Sequence, residues 1–141
     1  MKLYWLAPAA LALITACGSD ETETPTLFSN CVTVMSDPEL SRELAEASTS
    51  PDAACTCLQA HVKEDEDTKR MLGIFFSDLA SAMQASGESA EDLAGRLIAR
   101  SMLPDEGSGD PTFADAMPVF NNVFEELLSD IEENDGACPA V

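Results

Sequence analysis

Residues 71–83, Met71-Leu72-Gly73-Ile74-Phe75-Phe76-Ser77-Asp78-Leu79-Ala80-Ser81-Ala82-Met83, carry apolar side chains at steps of three and four. Met71, Leu72, Phe75, Phe76, Leu79 and Met83 therefore fall on one broad stripe of a helix, and a stripe of that width is buried against other elements. The acidic run Glu64-Asp65-Glu66-Asp67 precedes it, where negative charge favours a helix N-terminus, and Gly87 follows as a stop signal. The spacing predicts a helix over about residues 66–85.

Working outward, the same period recurs on both sides. Leu27, Phe28, Cys31, Val32 and Met35 form one face of a short helix that ends near Ser36-Asp37-Pro38. Those three residues also start a second helix, with Ser36 as N-cap and Pro38 in the first turn, carrying Leu40, Leu44, Ala45 and Ala47. A third is expected over about residues 51–63, with Ala54, Cys55, Cys57, Leu58, His61 and Val62. On the C-terminal side, Ser89-Ala90-Glu91-Asp92 resembles a capping box and opens a helix with Leu93, Leu97, Ile98 and Met102 inward. Pro104 and the Gly-rich run to Asp110 read as a loop. The last helix is expected from Asp110-Pro111, with Phe113, Met117, Phe120, Phe124, Leu127, Leu128 and Ile131 on its apolar face. Pro118 lacks the donor for Ala114 and is expected to kink or divide it. No alternating β-branched segment lies between turn signals. The expected fold is all-α, a small bundle of five or six short helices.

The domain holds Cys31, Cys55, Cys57 and Cys138, an even number that implies two disulfides if the chain is exported to an oxidising space. Cys55 and Cys57 project about 200° apart on a helix, so they are poorly placed to bond each other. Each is instead expected to reach Cys31 or Cys138, in either pairing. Loops of about 25 and 80 residues would then contribute on the order of 3 and 4.5 kcal/mol in the chain-entropy model.

Two other uses of these residues compete with that frame. Cys55-Thr56-Cys57 near a helix N-terminus is compatible with a redox-active dithiol, although the spacing is not Cys-x-x-Cys and no βαβ pattern surrounds it. Four cysteines, or three with His61 one turn beyond Cys57, have the ligand types of a zinc site. Disulfides are the stronger expectation in an exported protein, so neither metal nor cofactor is expected. The lone histidine, with no Gly-x-Ser-x-Gly and no phosphate-binding glycine loop, leaves no nucleophile with a base, and no catalytic residue is assigned.

At the N-terminus, Lys2 precedes an apolar run from Leu3 to Ile14 that is too short to span a bilayer and contains Pro8. Small Ala16 stands where a signal peptidase requires a small side chain. The run Ile14-Thr15-Ala16-Cys17 resembles the lipobox of bacterial lipoprotein precursors. That resemblance covers the first seventeen residues only. It implies a signal peptide over residues 1–16 and lipidation of Cys17 by a diacylglycerol thioether, usually with a further acyl chain on the freed amine. Two or three chains hold a protein in a bilayer far more firmly than one. Residues 17–25 then read as a lipidated tether and residues 26–141 as the helical domain. Gly18 and Ser19 follow the cysteine in place of the aspartate that retains such lipoproteins at the inner membrane, which implies a protein facing the periplasm from the outer membrane.

The full chain of 141 residues carries a formal charge of −19. Removal of Lys2 leaves six basic residues against 26 acidic ones, a charge of −20, with no Lys or Arg after Arg100. Nucleic acid is thereby excluded as an expected partner, because phosphate binding requires clustered cations. Anionic headgroups would repel the domain surface, leaving the acyl chains on Cys17 as its contact with the lipid bilayer. The acidic clusters at residues 64–67, 105–110 and 132–135 have calcium-compatible oxygens, but none has EF-hand spacing. The expected role is that of an envelope lipoprotein acting as a non-catalytic binding or structural accessory to a protein partner. The alternative is a thiol-disulfide redox protein using Cys55 and Cys57.

Overall fold

The computed structural model describes residues 26–103 and 109–138. The signal-peptide and tether assignments, Cys17 included, and most of the expected loop after Leu103 lie outside those residues. Six helices follow one another: α1 Leu27–Met35, α2 Pro38–Glu46, α3 Pro51–His61, α4 Glu66–Ser86, α5 Ala90–Ser101 and α6 Phe113–Glu133. No strand occurs among the described residues. The protein is an all-α bundle stapled by two disulfides, Cys31–Cys55 and Cys57–Cys138.

The two long helices, α4 and α6, pack along each other at the centre. Their contact is aromatic: Phe75 stacks on Phe120 with ring centroids 4.0 Å apart, Phe113 stacks on its other side at 5.2 Å, and Phe76 meets Phe120 edge-on. Offset-stacked and edge-on pairs contribute about 0.5–1.5 kcal/mol each beyond the area they bury. Helix α1 packs on α4, α3 lies against α1 and α6, and α5 crosses α4 and α6. Leu72, Phe76, Leu79, Leu127 and Ile131 are fully buried where these helices meet.

Short α2 is clasped at both ends. At its start, Asp37 and not Ser36 is the N-cap: its Oδ1 accepts the Glu39 N–H at 3.1 Å. Ser36 instead closes α1, its hydroxyl donating to the Val32 carbonyl at 2.6 Å. Asp37 is only 4% exposed, and its Oδ2 accepts the buried N–H of Ala90, the first residue of α5, at 3.0 Å. One carboxylate thus serves the N-termini of two helices fifty-three residues apart, where both dipoles favour negative charge. At its end, α2 turns through Ser48 with φ 59°, and the Thr49 N–H donates back to the Leu44 carbonyl at 2.9 Å, a Schellman closure without glycine.

Four further expectations are corrected. Helix α6 begins at Phe113, because Thr112 and Asp115 form a complete capping box that outweighs the proline at 111. Pro118 does not divide α6, which continues to Glu133. At the sixth helical position the proline removes one hydrogen bond, while the turns beyond it bury Phe120, Val123, Phe124, Leu127 and Ile131. Met102 does not point inward: α5 ends at Ser101, and Met102 is 73% exposed beside an equally exposed Leu103. In α2, Leu44 and Ala47 are buried while Ala45 faces solvent.

Candidate functional site

The residues with chemistry to offer converge on α3. Ser50 caps the helix by accepting the Ala53 N–H at 3.3 Å, and Pro51 fills the first position, where a missing donor costs nothing. The helix runs for eleven residues, buried on two sides because α1 lies on one flank and the end of α6 on another. Cys55 faces α1 and bonds Cys31, with 5.9 Å between their Cα atoms; the pair is 0% and 1% exposed. Cys57, turned away from Cys55, bonds Cys138 in the segment after α6, with 5.4 Å between Cα atoms. Cys57 is 4% exposed, whereas Cys138 is exposed to solvent.

The segment after α6 is placed by backbone geometry. Asp135 adopts φ 55°, the Gly136 N–H donates to the Ile131 carbonyl at 2.8 Å, and the helix closes as a second Schellman motif. Gly136 itself sits at φ 85° against the end of α2. A Cβ there would lie 2.5 Å from the Ser48 carbonyl oxygen, so only glycine fits. Two helix ends, those of α2 and α6, are thus in van der Waals contact, and the chain leaving that contact reaches Cys57 within two residues.

All four domain cysteines are consequently engaged, and Cys55 and Cys57 hold different partners. His61 lies at the surface, its Nε2 3.5 Å from Glu126 Oε2 on α6, while the Cys57 sulfur is bonded to Cys138. Among the described residues no group of three or more His, Cys, Asp or Glu side chains is arranged to hold a metal ion. The acidic run at residues 64–67 serves α4 instead. Asp65 caps it through the Thr68 N–H at 3.0 Å, and those hydrogen bonds hold its carboxyl below the ordinary range. Glu66 pairs with Lys69 at 2.9 Å.

One feature has no counterpart in the sequence reading, a groove of about 710 Å³ between α4, α5 and the start of α6. Asp78, Ser81, Arg100, Ser101, Thr112 and Phe113 are among its lining residues. Partial burial raises the Asp78 carboxyl above its ordinary value, although the residue still meets solvent. The Ser101 and Thr112 hydroxyls are spent locally, on the Leu97 carbonyl at 2.8 Å and on Asp115 at 2.8 Å. Arg100 and Asp78 give the groove its charged groups. No signal in the sequence marks it, because its walls come from three separated segments.

No helix among the described residues is long and apolar enough to cross a membrane. Comparison with protein-family models, with curated proteins and with solved structures finds no match for this chain.

Proposed function

We propose that the chain is an envelope lipoprotein, anchored by acyl chains on Cys17 and acting as a non-catalytic binding or structural accessory to a protein partner. The observation that carries this reading is the joint pattern of cysteines. Cys17 closes the lipobox-like run Ile14-Thr15-Ala16-Cys17, and the four remaining cysteines are all consumed in two disulfides, as suits an oxidising compartment. Facing the periplasm, with Gly18 and Ser19 after the lipidated cysteine, the protein is assigned to the outer membrane.

The geometry supports an accessory role. Ten residue steps separate Cys17 from Leu27, the first residue of α1, and covalent geometry limits that span to about 36 Å, so the anchor keeps the domain near the bilayer. The strongly acidic domain is repelled by anionic headgroups and is held by its chains alone. Such a domain presents a preorganised, twice-stapled surface, which lowers the ordering cost of binding a partner.

Intact-mass analysis of protein extracted from its native membrane, before and after reduction and alkylation, tests the reading. The expected result is a chain starting at Cys17 with added acyl mass, and four alkylated thiols only after reduction. An unlipidated mass would remove the anchor. Cross-linking in intact envelopes that returned no partner would remove the accessory role.

A further inference from the structure

We propose that Cys57–Cys138 is a solvent-facing thiol-exchange site, attacked at Cys138 by small thiolates while Cys31–Cys55 stays closed. The inference rests on burial and on the direction of approach, independently of the lipid anchor. A thiolate displaces along the sulfur–sulfur axis, entering from the far side of the sulfur that it attacks. At Cys138 that side belongs to an exposed residue on the rim of the molecule. Cys57, by contrast, is 4% exposed, which leaves an attacking thiolate little access to it. Both sulfurs of Cys31–Cys55 belong to residues no more than 1% exposed, so that bond is reached only when the bundle opens.

A thiolate forms a bond to Cys138 Sγ, the bond between Cys138 Sγ and Cys57 Sγ breaks, and the electron pair leaves on Cys57. Burial favours the neutral form, so Cys57 takes a proton from water and remains as a thiol. A second thiolate, attacking the small-thiol sulfur of the mixed disulfide, releases Cys138 as a thiolate. Two external thiols become one disulfide, and the protein disulfide becomes two thiols.

The opened site is built to close again. Gly136 still donates to Ile131 and packs on Ser48, and the Ala137 N–H donates to the Asn134 carbonyl at 3.1 Å. Neither contact uses sulfur. The two Cα atoms, 5.4 Å apart in the bonded state, therefore stay near bridging range. The substrate class is a low-molecular-weight thiol or dithiol, and the consequence is a reversible release of residues 137–138 from α3 with the fold retained.

The test treats the native, oxidised protein with reduced glutathione, quenches with an alkylating reagent over time, and maps each cysteine by mass spectrometry. Circular dichroism is recorded in parallel. The expected early product carries glutathione on Cys138 and the alkyl group on Cys57, with native circular dichroism. Cys31–Cys55 should open at least about tenfold more slowly, because it waits for structural opening. Dithiothreitol should carry the same site to two free thiols, and its removal in air should restore the bond. Glutathione on Cys57, equal rates for the two disulfides, or no reaction before the circular dichroism changes would each overturn the proposal.

Discussion

Cys31–Cys55 and Cys57–Cys138 leave α3 two residues apart, yet they staple different kinds of region. The first joins α1 to α3 inside the core, between residues that exclude water. The second joins α3 to the segment after α6, with one half-cystine buried and the other in solvent. The loops that they close, with separations of 24 and 81 residues, give chain-entropy terms of about 3.5 and 4.5 kcal/mol. Their thermodynamic weights are thus similar while their chemical access differs widely. Weight is set by the unfolded chain, and access by the folded one.

Removing each pair separately tests that separation and carries the largest expected effect. Cys57→Ser with Cys138→Ser should cost about 4 kcal/mol in denaturant unfolding, although Cys138 lies outside the core. Cys31→Ala with Cys55→Ala should cost about 5 kcal/mol, the smaller entropic term being supplemented by lost packing of two buried sulfurs. A loss of less than about 1 kcal/mol for Cys57–Cys138 would show that the denatured chain already holds α3 near the end of α6. Next in size, Gly136→Ala forces a Cβ against the Ser48 carbonyl at φ 85° and should cost about 3 kcal/mol. Its sharper readout is oxidative refolding, in which Cys57–Cys138 should close late while Cys31–Cys55 closes at its normal rate.

The helices were legible because each carries its own period and punctuation. The stripe from Met71 to Met83 lies within α4, and the signals at Gly87 and Ser89 lie where α4 ends and α5 begins. The cysteine reading stopped at two pairings because helix period shows that Cys55 and Cys57 face apart, but only the docking of α1 shows which of them meets Cys31. Thr112-Phe113-Ala114-Asp115 was legible in principle, being the pattern recognised at Ser89 with Thr as the cap. Asp37 was not. Ser36 and Asp37 are both good caps, and the choice is made by the Ala90 N–H, which no local rule connects to residue 37. The clasp at Gly136 is hidden for the same reason, since its requirement for glycine comes from a carbonyl eighty-eight residues earlier.

The junction of α2 with α5 is a clasp without sulfur, and it calibrates what the covalent ones add. Asp37→Ala removes the cap of α2 and leaves the buried Ala90 N–H without its acceptor, so a loss of about 2–3 kcal/mol is expected. Asp37→Asn keeps one acceptor oxygen and should lose roughly half of that. Chemical denaturation of the oxidised protein measures both. Equal losses for the two variants would mean that charge at the paired N-termini, and not the hydrogen bonds, holds α2 to α5.

The smallest effect sits at the rim of that clasp, where charge opposes it. Glu91 in the first turn of α5 faces Glu39 in the first turn of α2. A hydrogen bond shared with Glu39, and then the repulsion of that carboxylate, raise the Glu91 carboxyl above its ordinary 4.5, with Asp92 and Asp37 adding to the repulsion. The folded protein therefore binds a proton there more tightly than the unfolded chain does. The associated stability is fully present below the ordinary value and is lost as pH rises through the raised one. At neutral pH, Glu91→Gln should raise the melting temperature slightly by replacing the repulsion with an amide donor to Glu39. Because the pair is at the surface, the gain should shrink as salt is added and vanish below the ordinary carboxyl range. A gain of the same size at low and high pH would place its origin in helix propensity and leave Asp37 as the sole electrostatic link between α2 and α5.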